Sequence, residues 1–248
     1  MLRMTELSEK ILKKLPMEYF ESIDHGYKHS KDLILLAEIL VEMEMLKVDK
    51  NVLLVSILLH DLFADVGKKH GDLAAKYFKE QFSELFSQEQ RAKIIEAVLY
   101  HDEKNANFIE TRNKHFVESK ILYDVDNMDA FGIKGVYRYI KVYASRKVPL
   151  LGLSELIAKN IISRYKTLCF ESSKSLCHQA YLVALSFFEK SRELENSEYR
   201  ILKILYENYH CSIPELMALV KQETYVLNSH KSINYINQFF DTLYQCYE

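Results

Sequence analysis

The sequence predicts an all-α fold, and two observations carry that prediction. Only 6 Gly and 3 Pro occur in 248 residues, so the sharp reversals that hairpins and Greek-key connections need are scarce. Apolar residues also recur at three- and four-residue intervals along most of the chain, the period of one helix face. At roughly 100 to 200 residues per domain, the length suits one buried core with an extension. The expected division is a helical domain over 1–192 and a C-terminal helical extension over 193–248, with the polar stretch Glu193 to Ser197 at the boundary.

The elements follow in order. Residues 30–46 place Leu33, Leu36, Leu40 and Met43 on one stripe and predict an amphipathic helix. Asp49 can cap the next helix, whose run Val52 to Leu59 is apolar nearly all round, as expected at the centre of a bundle. That run ends in His60-Asp61. Gly67 and Gly71 mark a polar turn, after which Ala74, Phe78, Phe82 and Leu85 share a helical face over 73–86. Ser87, with Gln90 three residues on, has capping-box spacing and opens a helix over 88–101 whose apolar stripe continues into His101. A polar loop is expected over 102–114. Residues 116–131 then put Leu122, Asp126 and Asp129 on one face, so two aspartates point where core should be, while Asp124 is read as solvated. From Leu150 three more periodic stretches precede a Tyr- and Asn-rich helical tail over 212–248.

Composition excludes some functions. The 33 basic and 35 acidic side chains are interspersed, giving a net charge of -2, with no basic stripe to track a phosphate backbone, so duplex nucleic acid is not an expected partner. The apolar runs fall far short of the ~20 residues that span a bilayer. The four cysteines lack CxxC spacing and the first residues lack an apolar leader core, which together point to a cytoplasmic protein with reduced thiols.

The strongest local anomaly is His60-Asp61, two ionisable residues at the end of an apolar run. A buried charge costs several kcal/mol unless it is paired, and a divalent cation satisfies imidazole and carboxylate together; Mn, Fe, Co, Ni, Zn and Mg all suit such donors. Adjacent helical residues point about 100° apart, so both can reach one ion only where other helices converge. His29 at a helix start and Asp126 in mid-helix are the candidate donors from those helices.

The order His29, His60-Asp61 after LLVSILL, and Asp126 within DVDNMDAFG resembles the H...HD...D signature of the HD-domain phosphohydrolase superfamily over about residues 20–140. The resemblance implies an HD-domain helical bundle with metal ligands His29, His60, Asp61 and Asp126. It also decides for His29 over His25, which is left as a candidate to support the ligands from behind. HGDLAAKYF and IIEAVLYH are similar to segments of the family's dinuclear members, which implies a second metal or phosphate contact at His70 and His101. Ala74, where those members usually carry Gly, and the short His60 to His70 interval depart from that pattern. The implied activity is hydrolysis of a phosphoester or phosphoanhydride in a small phosphorylated metabolite, with a nucleotide as the preferred class. Asp61 would orient the attacking water, and Asp65, His70 or His101 would supply the proton for the leaving oxygen. Lys68 and Arg138 are the cations expected to bind the substrate's phosphate. Two rivals stay open: a dinuclear iron oxygenase of HD-like fold, and a metal-stabilised interaction protein in which 145–248 is a partner-binding or homo-oligomerising helical module.

Overall fold

Several helices in this chain begin where a side chain can take up the unpaired N–H groups of a first turn. In the computed structural model, which describes residues 2–22, 25–66, 70–101, 111, 114–224 and 230–247, Thr5 and Ser8 form a capping box at the start of α1 (Glu6–Leu12). Asp49 accepts from Asn51 N and Val52 N at the start of α4 (Lys50–Leu59), and Ser87 and Gln90 close a capping box at α6 (Gln88–Tyr100). Between these lie α2 (Met17–Glu21), α3 (Tyr27–Met43) and α5 (His70–Gln81). They are followed by α7 (Val117–Asp129), α8 (Gly132–Ser145), α9 (Leu153–Thr167), α10 (Glu171–Lys190), α11 (Ser197–Glu207), α12 (Ile213–Thr224) and α13 (His230–Tyr247). Thirteen α-helices and no strand occur among the described residues, an all-α fold as expected.

The chain divides into two compact units, Met1–Met128 with Thr167–Ser175, and Asp129–Lys166 with Leu176–Glu248. This division is drawn differently from the one expected at 192/193. In the first unit α4 is the axis. Every residue from Val52 to Leu59 is buried, and the helix separates two apolar clusters. Val52, Val55, Leu58 and Leu59 pack with Ile11, Phe78, Phe82, Ile94 and Val98. Leu53, Leu54 and Ile57 pack with Leu33, Ala37, Leu40, Ile121 and Val125. A helix buried on all sides can be apolar all round, which is what the sequence of α4 shows.

In the second unit α8 packs against α11 and α13, and α12 against α13. Phe187 and Phe188 are buried with Phe239 and Phe240, and the Phe187 and Phe239 rings stack at 5.5 Å. These aromatics serve as core, as their helical spacing suggests.

Three details differ from the sequence-based expectation. Helix α3 starts three residues before residue 30, and its buried stripe is Leu33, Ile34, Ala37 and Leu40; Met43 is 49 % exposed. Leu36 packs half-buried against the same cluster, and Ile34 and Ala37 extend the buried stripe on its other side. Leu85 is 40 % exposed, since α5 ends at Gln81 and a tighter 3-10 turn at Ser83–Leu85 takes it off the stripe of Ala74 and Phe78. Asp124 is fully buried rather than solvated: it accepts from Cys169 N at 2.7 Å and Phe170 N at 3.0 Å, tying α7 to the segment ahead of α10. The loop expected over 102–114 lies outside the described residues apart from Thr111 and Lys114.

Gly26 controls the entry to α3. A Cβ there would lie 2.2 Å from Ser22 O and 2.3 Å from Tyr19 O, so only glycine lets the carbonyl end of α2 approach so closely. Gly26→Ala is expected to destabilise the protein by about 1–3 kcal/mol, lowering the thermal midpoint by several degrees. An unchanged midpoint in calorimetry would contradict this close approach.

Candidate metal centre

Five helices deliver the ionisable side chains, all within the first unit. His29 lies in the first turn of α3 and His70 opens α5. His60 is the C-cap of α4 and His101 the C-cap of α6. Asp61 follows His60 directly, and Asp126 lies in the last turn of α7. His29, His60, Asp61 and Asp126 each offer a donor atom within 4.8 Å of the others, and so do Asp61, His70 and His101.

The two groups meet on one carboxylate. His60 Nε2 lies 3.5 Å and His29 Nε2 3.7 Å from Asp61 Oδ2. Asp126 Oδ1 is 3.5 Å from His29 Nε2 and 4.0 Å from His60 Nε2. On the other oxygen, His70 Nε2 and His101 Nε2 are each 3.4 Å from Asp61 Oδ1 and 2.9 Å from one another. His25 Nδ1 contacts Asp61 Oδ2 at 2.7 Å, so it braces the carboxylate from the half-exposed side. Gly71 permits the pairing of His70 with His101: a Cβ there would lie 2.9 Å from Val98 O, so α5 can start against the carbonyl end of α6 only without a side chain.

Hydrogen bonds fix which nitrogens face the centre. His60 Nδ1 donates to Ile57 O at 2.8 Å, and His101 Nδ1 donates to Val98 O at 2.7 Å. In a neutral imidazole the other nitrogen then carries the lone pair. His60 Nε2 is buried and makes no hydrogen bond, the state of a ligand nitrogen that waits for a cation. Metal–nitrogen and metal–oxygen bonds of about 2.1 Å require donors spaced by roughly 3 to 4 Å around one ion. The four separations given above for the first group fall in that range and all its donor atoms lie within 4.8 Å of one another, so His29, His60, Asp61 and Asp126 fit a divalent metal.

Electrostatics keeps these groups in ligand form. Burial pushes His60 down to about 4, with His101 and His29 adding to the effect and Asp61 and Asp126 opposing it. Burial opposes ionisation of Asp61, yet His60, His25 and His101 together hold its carboxyl well below the usual carboxylate range. Neutral imidazole beside an ionised carboxylate is the combination that binds metal without first losing a proton.

Asp65, Lys68 and Arg138 are the remaining candidates. Asp65 lies in the 3-10 turn Ala64–Val66, and its side chain, like all of Lys68, lies outside the described residues. Arg138, expected on the substrate's phosphate, pairs with Asp129 Oδ2 at 2.5 Å in the second unit, while Lys134 holds Oδ1 at 2.9 Å. Asp129 is thus neutralised by two cations of its own unit. The sequence carries no local signal for the buried role of Asp124, whose partners Cys169 and Phe170 lie far along the chain.

Residues 26–130 match the HD domain family. Over that segment the chain is similar to an HD domain. That family consists mostly of metal-dependent phosphohydrolases, and the matched segment holds all six donor residues. No curated protein and no solved structure matches the chain. No helix among the described residues is long and apolar enough to cross a membrane.

Two buried groups give the metal-free first unit opposing pH dependences. His60, lowered to about 4 from an ordinary 6.5, contributes stability that is full above pH 6.5 and lost as pH falls toward 4. Asp124, pushed up to about 6 by burial, contributes stability that is full below pH 3.8 and lost as pH rises through 6. Between pH 6.5 and 4 the two partly cancel. Asp124→Asn removes the second, so the metal-free variant is expected to lose thermal stability on acidification more steeply than wild type. Parallel melting curves across that window would contradict the assignment.

Proposed function

We propose that this HD domain is a metal-dependent phosphohydrolase that holds two divalent ions on either side of Asp61 and cleaves a phosphoester or phosphoanhydride of a small metabolite. The observation that carries this reading is the two-sided carboxylate, with Oδ2 turned to His29 and His60 and Oδ1 turned to His70 and His101. His29, His60, Asp61 and Asp126 would hold one ion, and Asp61, His70 and His101 the other. When bound, such ions supply Lewis acidity, polarising a phosphoryl oxygen and making water acidic near neutral pH.

The chain's own residues divide the remaining work. Asp61, ionised and braced by His25, holds the two histidine pairs in register. His60 and His101 present Nε2 in a fixed orientation because their Nδ1 protons are committed to Ile57 O and Val98 O. Asp65 is assigned as proton donor to the leaving oxygen, and Lys68 as a cation for the non-bridging oxygens; both assignments rest on the sequence. The nucleotide as substrate class rests on family resemblance. Arg138, which pairs with Asp129 in the second unit, is likewise assigned to the substrate's phosphate from the sequence alone.

The same donor set would accept an iron pair, so hydrolysis and oxygen chemistry are separated by experiment. Metal analysis on protein purified without chelator is expected to give two equivalents, with one lost in His101→Ala. Phosphate release from nucleotides with Mn or Co should fall at least about 100-fold in the His60→Ala/Asp61→Ala double variant. Undiminished release in that variant would end the hydrolase reading. Oxygen uptake by the iron-loaded protein without phosphate release would put an oxygenase in its place.

A further inference from the structure

We infer that Tyr19 and Ser30 are positioning residues for the ligand His60, an inference that rests on the metal reading above. Tyr19 OH donates to Ser30 Oγ at 2.6 Å, and Ser30 Oγ donates to Ile57 O at 3.2 Å. Ile57 O also accepts from His60 Nδ1 at 2.8 Å. Both lone pairs of this one carbonyl are therefore in use, one by the imidazole and one by the hydroxyl relay. The direction of the relay is fixed, since the proton that Ser30 gives to Ile57 O leaves its oxygen to accept from Tyr19.

The relay has the location and burial of a support. Tyr19 is 4 % and Ser30 1 % exposed, and Ile57 and His60 are fully buried. It links α2 to α3 and α3 to the last turn of α4, and Ser30 directly follows His29, so a single chain of hydroxyls registers the helices that carry two ligands. The Ile57 carbonyl lies in the last turn of α4, where a helix lacks the partners to hold its carbonyls in place. Ser30 supplies one and so fixes the acceptor that sets the ring plane and tautomer of His60. Partners behind a ligating histidine typically tune metal affinity by 10–100-fold. Gly26 completes the device by allowing the carbonyl end of α2, and with it Tyr19, to reach α3.

The test is a Co(II) titration of full-length protein, read by visible absorption and by competition with a chelator. Ser30→Ala is expected to weaken binding by about 10-fold and to alter the ligand-field spectrum, because His60 can then rotate. Tyr19→Phe, one bond further away, should weaken it by about 3-fold while keeping the buried ring. Tyr77→Phe removes a hydroxyl that bonds Lys14 O elsewhere in the same unit and should leave affinity and spectrum unchanged. Wild-type affinity and spectrum in Ser30→Ala would overturn the inference while leaving the metal reading intact, as would an equal loss in Tyr77→Phe. No Co(II) uptake by wild type would overturn the metal reading and the inference with it. Should Ser30→Ala fail to fold, Tyr19→Phe decides: unaltered binding there overturns the relay.

Discussion

The first unit is organised around one buried negative charge. Asp61 follows a run from Val52 to His60 in which every residue is buried, and an isolated carboxylate there would cost several kcal/mol or take up a proton. Against that penalty His60, His25 and His101 hold its carboxyl well below the usual carboxylate range, and His29 and His70 also lie beside its oxygens. Each of those histidines must arrive from a helix end, and the helices must stop where they do for the rings to meet. The cap of α4, the glycine at the start of α5 and the early start of α3 all serve that convergence. Core packing alone would be satisfied by an apolar residue at position 61; the charge makes the arrangement specific.

Much of this was legible in the sequence, for identifiable reasons. Helix α4 could be read because burial on every side leaves an unbroken apolar run, and His60-Asp61 stood out because it interrupts that run. Ser87 and Gln90 could be read because a capping box is a local device, closed within four residues. Asp124 could not be, since its partners Cys169 and Phe170 lie about forty-five positions away and a buried aspartate without local pairing looks like a surface one. The two-sidedness of Asp61 was hidden for the same reason. Periodicity assigns a residue to a face; it does not say which oxygen a partner will reach. Tyr19 and Ser30 were invisible too, because a hydroxyl relay has no spacing rule and its members look like ordinary helix residues.

Helix ends explain why the centre suits a cation and not a proton. Helix α4 ends at His60, α6 ends at His101, and Asp126 sits in the last turn of α7. A helix C-terminus carries about half a negative charge from its unpaired carbonyls, so three such ends, with the carboxylates of Asp61 and Asp126, build a negative potential. A protonated His60 could answer it, but burial drives that ring down to about 4, so near neutral pH His60 stays neutral. Ile57 O and Val98 O instead take the Nδ1 protons of His60 and His101, which turns the remaining lone pairs inward. Burial thus keeps the proton off His60 while leaving the negative potential in place, and a divalent ion that accepts nitrogen and oxygen donors meets both conditions.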